Sequence, residues 1–255
     1  TKDIGLPILS AIPMAAGNGE NDEQTEQVVE AFRELRLSLT HAYGTAGPVV
    51  ITVTSPGSGD GKSFVSSNLA LAFADQGHRT LLLDGDIRRG SLHNVLGGKR
   101  TPGLTDFLAG TVTEEALIQR TEYANVDFIG SGTWRRTGPE LLGSPTMHQL
   151  ITRLRSRYSV VIVDSAPLGA GVDAFVLGTM TGNMLMVLRT GTTDRELAGA
   201  KLEVLTRLPI RILGAALNAV PSRGVYKYYS YFSNYQLPPG AEPETAGAGA
   251  TTAPV

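Results

Sequence analysis

The chain has 255 residues, 42% hydrophobic and 18% charged, which is enough apolar material for one sizeable globular domain. A formal net charge of -2 gives no overall electrostatic attraction to nucleic acid, which is not an expected partner, and zero cysteines exclude disulfides, thiolate metal sites and cysteine nucleophiles. The cysteine usage suits a reducing compartment, and no apolar run of about eighteen residues is present to cross a membrane.

Residues 1–22 carry prolines at positions 7 and 13 and no helical period, so an extended arm is expected, its apolar residues docking on the domain. From Glu23 to Tyr43 a helix is expected, because Val28, Phe32, Leu35, Leu39 and Tyr43 fall within about 80° of one another at 100° per residue. Glu30, Arg33 and Arg36 recur every three residues, Glu30 about opposite that stripe, Arg33 about 60° away and Arg36 nearer the flank, and the apolar Leu37 shares the outer face. A local Glu30 to Arg33 pair, contributing a few tenths of a kcal/mol, accounts for the charges without any partner.

The stretches "VVITVTS", "TLLLDGD", "VDFIGSG", "VVIVDSA", "MLMVLRT" and "RILGAALNAV" read as strands. Helices are expected between them at 62–76, 138–157, 172–181 and 194–208. Continuous apolar strands alternating with amphipathic helices predict an α/β fold, a mostly parallel sheet with helices on both faces, over residues 23–225. Residues 226–235 then hold five of the eight tyrosines, and 236–255 are too poor in large apolar residues to offset their ordering entropy.

The chemistry starts at "VTSPGSGDGKSFVSSNLALAF", a glycine-rich loop between a strand and a helix whose core face is Val65, Leu69, Ala72 and Phe73. Such a loop cradles phosphates with its backbone N–H groups, here from Gly57, Ser58, Gly59, Asp60, Gly61, Lys62, Ser63 and Phe64. Lys62 is expected to reach the β and γ phosphates and Ser63 to ligate Mg²⁺, although Pro56 stands where the usual pattern has its first glycine. Asp84 and Asp86 end one strand and Asp164 ends another, so a parallel sheet brings all three to the edge where the phosphate loop lies. Three carboxylates facing a triphosphate make sense only with Mg²⁺ and Lys62 to offset their charge; each acid alone reads better as a turn or cap.

These segments, in this order, resemble the P-loop tyrosine kinases of bacterial capsule and exopolysaccharide assembly. The resemblance rests on "SPGSGDGKS", "LLLDGDIRR" and "VVIVDSAPLGAGVDA", with "EAFRELR" ahead of them, "GLTDFLAG" and "PELLGS" in the middle, "GAALNAV" at the last strand, and the tyrosine cluster after it. It implies an ATP-dependent protein tyrosine kinase acting on Tyr226, Tyr228, Tyr229, Tyr231 and Tyr235 of a neighbouring copy. Lys62, Asp84, Asp86 and Asp164 would be catalytic, with Ser63 and the three acids at the metal and Asp84 accepting or steering the phenol proton. Asn218 would read adenine, and Glu30, Arg33 and Arg36 would pack copies into a ring.

The resemblance also implies ATP and Mg²⁺ as cofactors and a tyrosine phosphatase as a partner. A transmembrane co-polymerase segment, fused upstream of Thr1 or separate, would hold the domain at the cytoplasmic face of the membrane. Ala166, Thr137 and Gly138 depart from the common family pattern, and altered loop geometry is expected there. The alternative is a partition-type or assembly ATPase that binds DNA or membrane. Those proteins carry a signature lysine five residues before the phosphate-loop lysine, and this chain has Gly57 there. His41, His78, His93 and His148 lack metal-ligand spacing.

Overall fold

The computed structural model describes residues 5–14, 22–44 and 47–221; the tyrosines at 226–235 and the tail lie outside them. In chain order, β1 (Ile8–Pro13), α1 (Asp22–Tyr43), β2 (Val49–Thr54), α2 (Lys62–Ala74) and β3 (Thr80–Asp84) come first. Short helices α3 (Leu92–Val95), α4 (Leu104–Leu108) and α5 (Glu114–Leu117) and the two-residue β4 (Gln119–Arg120) precede β5 (Val126–Ile129). Then follow α6 (Gly138–Leu142), α7 (Pro145–Arg157), β6 (Val160–Asp164), α8 (Asp173–Thr181), β7 (Asn183–Arg189), α9 (Arg195–Leu205) and β8 (Arg211–Val220).

The strands form one sheet in the order β1-β8-β7-β2-β6-β3-β5-β4, parallel throughout except where β4 meets β5. Strand β2 is buried at every position, with only Thr52 and Thr54 polar. Val49, Ile51 and Val53 pack with Phe32 and Leu35 of α1 and with Leu69 and Phe73 of α2, whereas Val50 faces Leu150, Leu154 and Leu177 of α7 and α8. Both faces are covered, as a parallel sheet requires. The expected face of α1 is buried accordingly: Phe32, Leu35 and Leu39 are in the core and Leu37 is exposed.

Three local features differ from the sequence expectation. Within the expected arm, Ile8–Pro13 adds a strand beside β8, with Ala11 opposite Leu217 and Pro13 opposite Val220. An edge position tolerates proline because no neighbour needs its missing N–H. The single helix expected over 138–157 is two helices, broken at Gly143 and Ser144. Pro145 disfavours helical geometry at Ser144, which instead caps α7 by accepting from the Met147 N–H at 3.2 Å. The short helices between β3 and β5 were not expected, being too brief to show a period.

Parallel strands put their carboxyl ends on one edge. The loop after β2, Asp84 at the end of β3 and Asp164 at the end of β6 therefore meet there, and Asp84 and Asp164 are directly paired in register.

Candidate nucleotide site

Helix α2 starts abruptly at the end of the glycine loop. Gly59 and Gly61 have φ of +88° and +92°, a backbone that residues with a β-carbon rarely adopt, and Gly61 caps the helix without any side-chain bond. The first-turn N–H groups are thus left for an anion, and the helix dipole favours one. Lys62, 8% exposed, and Ser63 open the helix and line a cleft of about 660 Å³. Pro56, Gly57 and Ser58 of the loop also line it, as do Asp86, Arg88, Arg89 and the segment after β6.

Ser63 Oγ donates to Asp164 Oδ2 at 2.7 Å and Ser66 Oγ to Asp164 Oδ1 at 2.9 Å. With its proton turned to Asp164, the Ser63 hydroxyl keeps its lone pairs for a cation. Burial pushes the Asp164 carboxyl up to about 6, opposed by Lys62 and the two hydroxyls and reinforced by Asp86. Asp84 is raised well above the usual carboxylate range, first by burial and then by the charges of Asp164 and Asp86. Two buried acids with raised proton affinity mark a place short of positive charge.

The three acids are not equivalent. Asp84 is fully buried, its Oδ1 accepting from the Asp86 N–H at 3.2 Å and its Oδ2 from the Leu92 N–H at 3.3 Å. Only Asp86 lines the cleft, and its Oδ1 accepts from the N–H groups of Arg88 and Arg89. Among the described residues no group of three His, Cys, Asp or Glu side chains is arranged to hold a metal unaided. Mg²⁺ takes one or two protein oxygens and completes its shell from phosphates and water. Hard oxygen donors, a hydroxyl with free lone pairs and a local charge deficit all suit it.

The remaining sequence candidates sit as follows. Phe64 packs edge-to-face on Phe32 of α1, ring centroids 5.6 Å apart, outside the cleft. The Asp60 carboxylate is buried in hydrogen bonds with Thr193 Oγ1 at 2.8 Å and the Gly57 N–H at 3.1 Å, so only its backbone is available to a phosphate. Asn218 Nδ2 donates to the Asp60 carbonyl at 2.9 Å. Glu30 and Arg33 form an exposed intrahelical pair at 3.2 Å, and neither lines the cleft.

The sequence reading passed over Ser66, Asp173, Arg189 and Thr193. A serine at 66, three positions after Ser63 on an otherwise apolar helix face, was the available signal for the first. Asp173 is 1% exposed and grips Arg88 with bonds of 2.6 and 3.2 Å, tying the loop after β3 to α8 and raising the arginine's pKa. Its place as the one acid in the small-residue run "GAGVDA" after β6 gave a hint. Arg189 and Thr193 reach the loop across more than a hundred residues, and no local pattern announces them.

Comparison with known proteins agrees with this geometry. Residues 51–230 match the CobQ/CobB/MinD/ParA nucleotide binding domain family. The chain is 37% identical over 212 residues to the putative tyrosine-protein kinase EpsB of Ralstonia solanacearum, covering 82% of this chain and 28% of that one. Against the tyrosine-protein kinase YwqD of Bacillus subtilis it is 31% identical, over 81% of this chain and 88% of the relative. Among solved structures, the kinase domain of the Escherichia coli tyrosine kinase ETK superposes with a TM-score of 0.79 at 30% identity, over 88% of this chain and 94% of that one. The chain spans less than a third of the length of the EpsB relatives that it matches. It belongs to the CobQ/CobB/MinD/ParA nucleotide-binding family and, within it, to the bacterial tyrosine-protein kinases.

Proposed function

We propose that the chain is an ATP-dependent protein tyrosine kinase whose acceptors are Tyr226, Tyr228, Tyr229, Tyr231 and Tyr235 of a neighbouring copy. One observation carries the reading: a phosphate loop with a buried lysine faces carboxylates on the same sheet edge, in a chain closely related to tyrosine kinases. Mg²⁺, when bound, neutralises phosphate charge and makes the γ-phosphorus easier to attack.

The chain's own residues do the rest. The loop N–H groups and Lys62 hold the β and γ phosphates, and Ser63 offers its hydroxyl oxygen to the metal. The tyrosine oxygen bonds to the γ-phosphorus as the bond to the ADP oxygen breaks, the electron pair leaving with ADP. A free phenol has a pKa of about 10, so its proton needs an acceptor as the new bond forms. Asp84 has the raised proton affinity, yet both its oxygens hold backbone N–H groups; Asp86 is the acid in the cleft. We assign contact with the phenol to Asp86 and its positioning to Asp84, while Asp164 orients Ser63.

Transfer between copies needs an assembly, and the outward face of α1, with Glu30, Arg33 and the 65% exposed Leu37 and with half-buried Arg36 at its flank, is the surface we assign to it. In the cell the reading implies control of exopolysaccharide polymerisation and export. It also implies a transmembrane co-polymerase segment placing the domain at the inner membrane face, and a phosphatase to reset it.

Intact-mass spectrometry with and without Mg-ATP tests the activity. The chain is expected to gain one or more phosphates, and Lys62→Met to gain none. Vigorous ATP hydrolysis with unchanged protein mass would refute the kinase reading and favour an assembly ATPase.

A further inference from the structure

The glycines that let the phosphate loop bend also let its peptides face either way. A trans peptide is planar, with its C=O and the following N–H on opposite edges. Pinning a carbonyl outward therefore aims the next N–H inward. Two consecutive peptides of this loop are pinned. Arg189 Nη1, at the end of β7, donates to the Gly59 carbonyl at 2.9 Å, and Asn218 Nδ2, in β8, donates to the Asp60 carbonyl at 2.9 Å.

The Asn218 amide has one possible orientation. Its Oδ1 accepts from the Ala219 N–H at 2.9 Å while its Nδ2 meets a carbonyl, and reversal would set donor on donor and acceptor on acceptor. Ala219 holds a φ of 54°, an uncommon backbone for a residue with a β-carbon, which places its N–H for that bond. The amide also lies so close to Gly61 that a β-carbon there would overlap Nδ2.

Asp60 is turned away as well. Its carboxylate would repel a phosphate, but Thr193 and the Gly57 N–H hold it, and Thr193 Oγ1 accepts from the Arg189 N–H at 2.7 Å. The N–H groups of Asp60 and Gly61 have no protein acceptor among the described residues. They are the groups that the two pinned carbonyls turn inward.

We propose that Asn218 and Arg189 are positioning residues that hold the Gly59–Asp60 and Asp60–Gly61 peptides with their N–H edges toward a bound triphosphate. Asn218 then acts on the phosphates through the loop and not on the adenine edge. This rests on the nucleotide reading above and deepens it.

A ligand without a base separates the two roles. Binding of Mg-tripolyphosphate and of Mg-ATP to the full chain is measured by titration calorimetry for wild type, Asn218→Ala, Asn218→Asp, Arg189→Ala and Arg189→Lys. Asn218→Asp keeps the acceptor for the Ala219 N–H and sets an oxygen against the Asp60 carbonyl, so a simple loss of packing does not explain its effect. Both Asn218 variants are expected to weaken the two ligands by the same factor, about tenfold, the size of one lost oriented donor. Arg189→Ala should do likewise and Arg189→Lys, which keeps a donor, should recover most of the loss. Asn218 variants that weaken Mg-ATP and leave Mg-tripolyphosphate untouched would overturn the inference and make Asn218 a base reader. Arg189→Lys no better than Arg189→Ala would also count against it. Wild-type protein that binds neither ligand would overturn the nucleotide reading itself and this inference with it.

Discussion

Replacing Asp164 by Asn should make the nucleotide-free protein more stable while impairing its chemistry. Asp164 is 1% exposed, and burial raises its pKa from 3.8 to about 6. A carboxyl with a raised folded pKa contributes its stability below the unfolded pKa near 4 and loses it as pH climbs through about 6. At pH 8 the folded, metal-free protein therefore bears about 2 pK units of unfavourable ionisation, about 3 kcal/mol at 1.36 kcal/mol per unit. Asparagine carries no charge. The hydroxyls of Ser63 and Ser66 rotate, so one can accept from the new Nδ2 while the other still donates to Oδ1, at a cost of about 1 kcal/mol for the lost charge-assisted bond.

The net gain is about 2 kcal/mol, or about 4 to 8 °C in Tm for a domain of this size. Scanning calorimetry in EDTA at pH 8 and pH 5 measures it. The variant should melt higher at pH 8 and keep less than half of that advantage at pH 5, midway between the unfolded pKa near 4 and the folded value of about 6. Added Mg-ADP should then raise the wild-type Tm more than that of the variant. A variant less stable at both pH values, or a difference independent of pH, would refute the reasoning that Asp164 is held at an electrostatic cost for the sake of a cation.

Further outcomes follow from the same geometry. Gly61→Ala adds a β-carbon at φ +92° against the Asn218 amide, so Mg-ATP binding by calorimetry should be lost, with far-UV circular dichroism unchanged. Tyr158, whose hydroxyl donates to Asp127 Oδ2 at 2.7 Å, has its pKa pushed up to about 12 by burial and by that bond. Its stability contribution is complete below pH 10 and is lost as pH rises through about 12. Tyr158→Phe should cost about 1 to 2 kcal/mol in urea melts at pH 7 to 9, with the deficit shrinking at higher pH. Each phosphate on tail tyrosines adds about -1.5 to -2 charges, so light scattering should find the phosphorylated chain monomeric and the unphosphorylated chain associated. Equal sizes would contradict the proposed inter-copy transfer surface.

Much of the scaffold was legible because its signals are local. The apolar runs of β2, β3 and β6, the glycine loop and the acids that end two strands all declare themselves within a dozen residues, and parallel topology then brings Asp84 beside Asp164. Three things were not legible. Pairing of Ile8–Pro13 with β8 joins segments some two hundred positions apart, and a proline-flanked stretch looks the same free or paired. The break before α7 was readable in Ser144-Pro145, but the apolar period on either side concealed it. The individual roles of the acids depend on burial. Asp84 and Asp86 are near-identical in sequence, yet the turn to Leu92 seals one and leaves the other at the cleft. Asn218 was read by its position at the end of a strand, and only its contacts reveal that its amide is already engaged with the loop.

The central claim is transfer of the γ-phosphate to a neighbour's tail tyrosines. Its most direct test mixes two forms of the chain: Lys62→Met with an intact tail, and an otherwise wild-type chain with Tyr226, Tyr228, Tyr229, Tyr231 and Tyr235 changed to Phe. After incubation with Mg-ATP, tandem mass spectrometry is predicted to find phosphotyrosine within 226–235 of the Lys62→Met chain, and none when either form is incubated alone. Release of inorganic phosphate from the mixture, with no phosphotyrosine on either chain, would contradict the account.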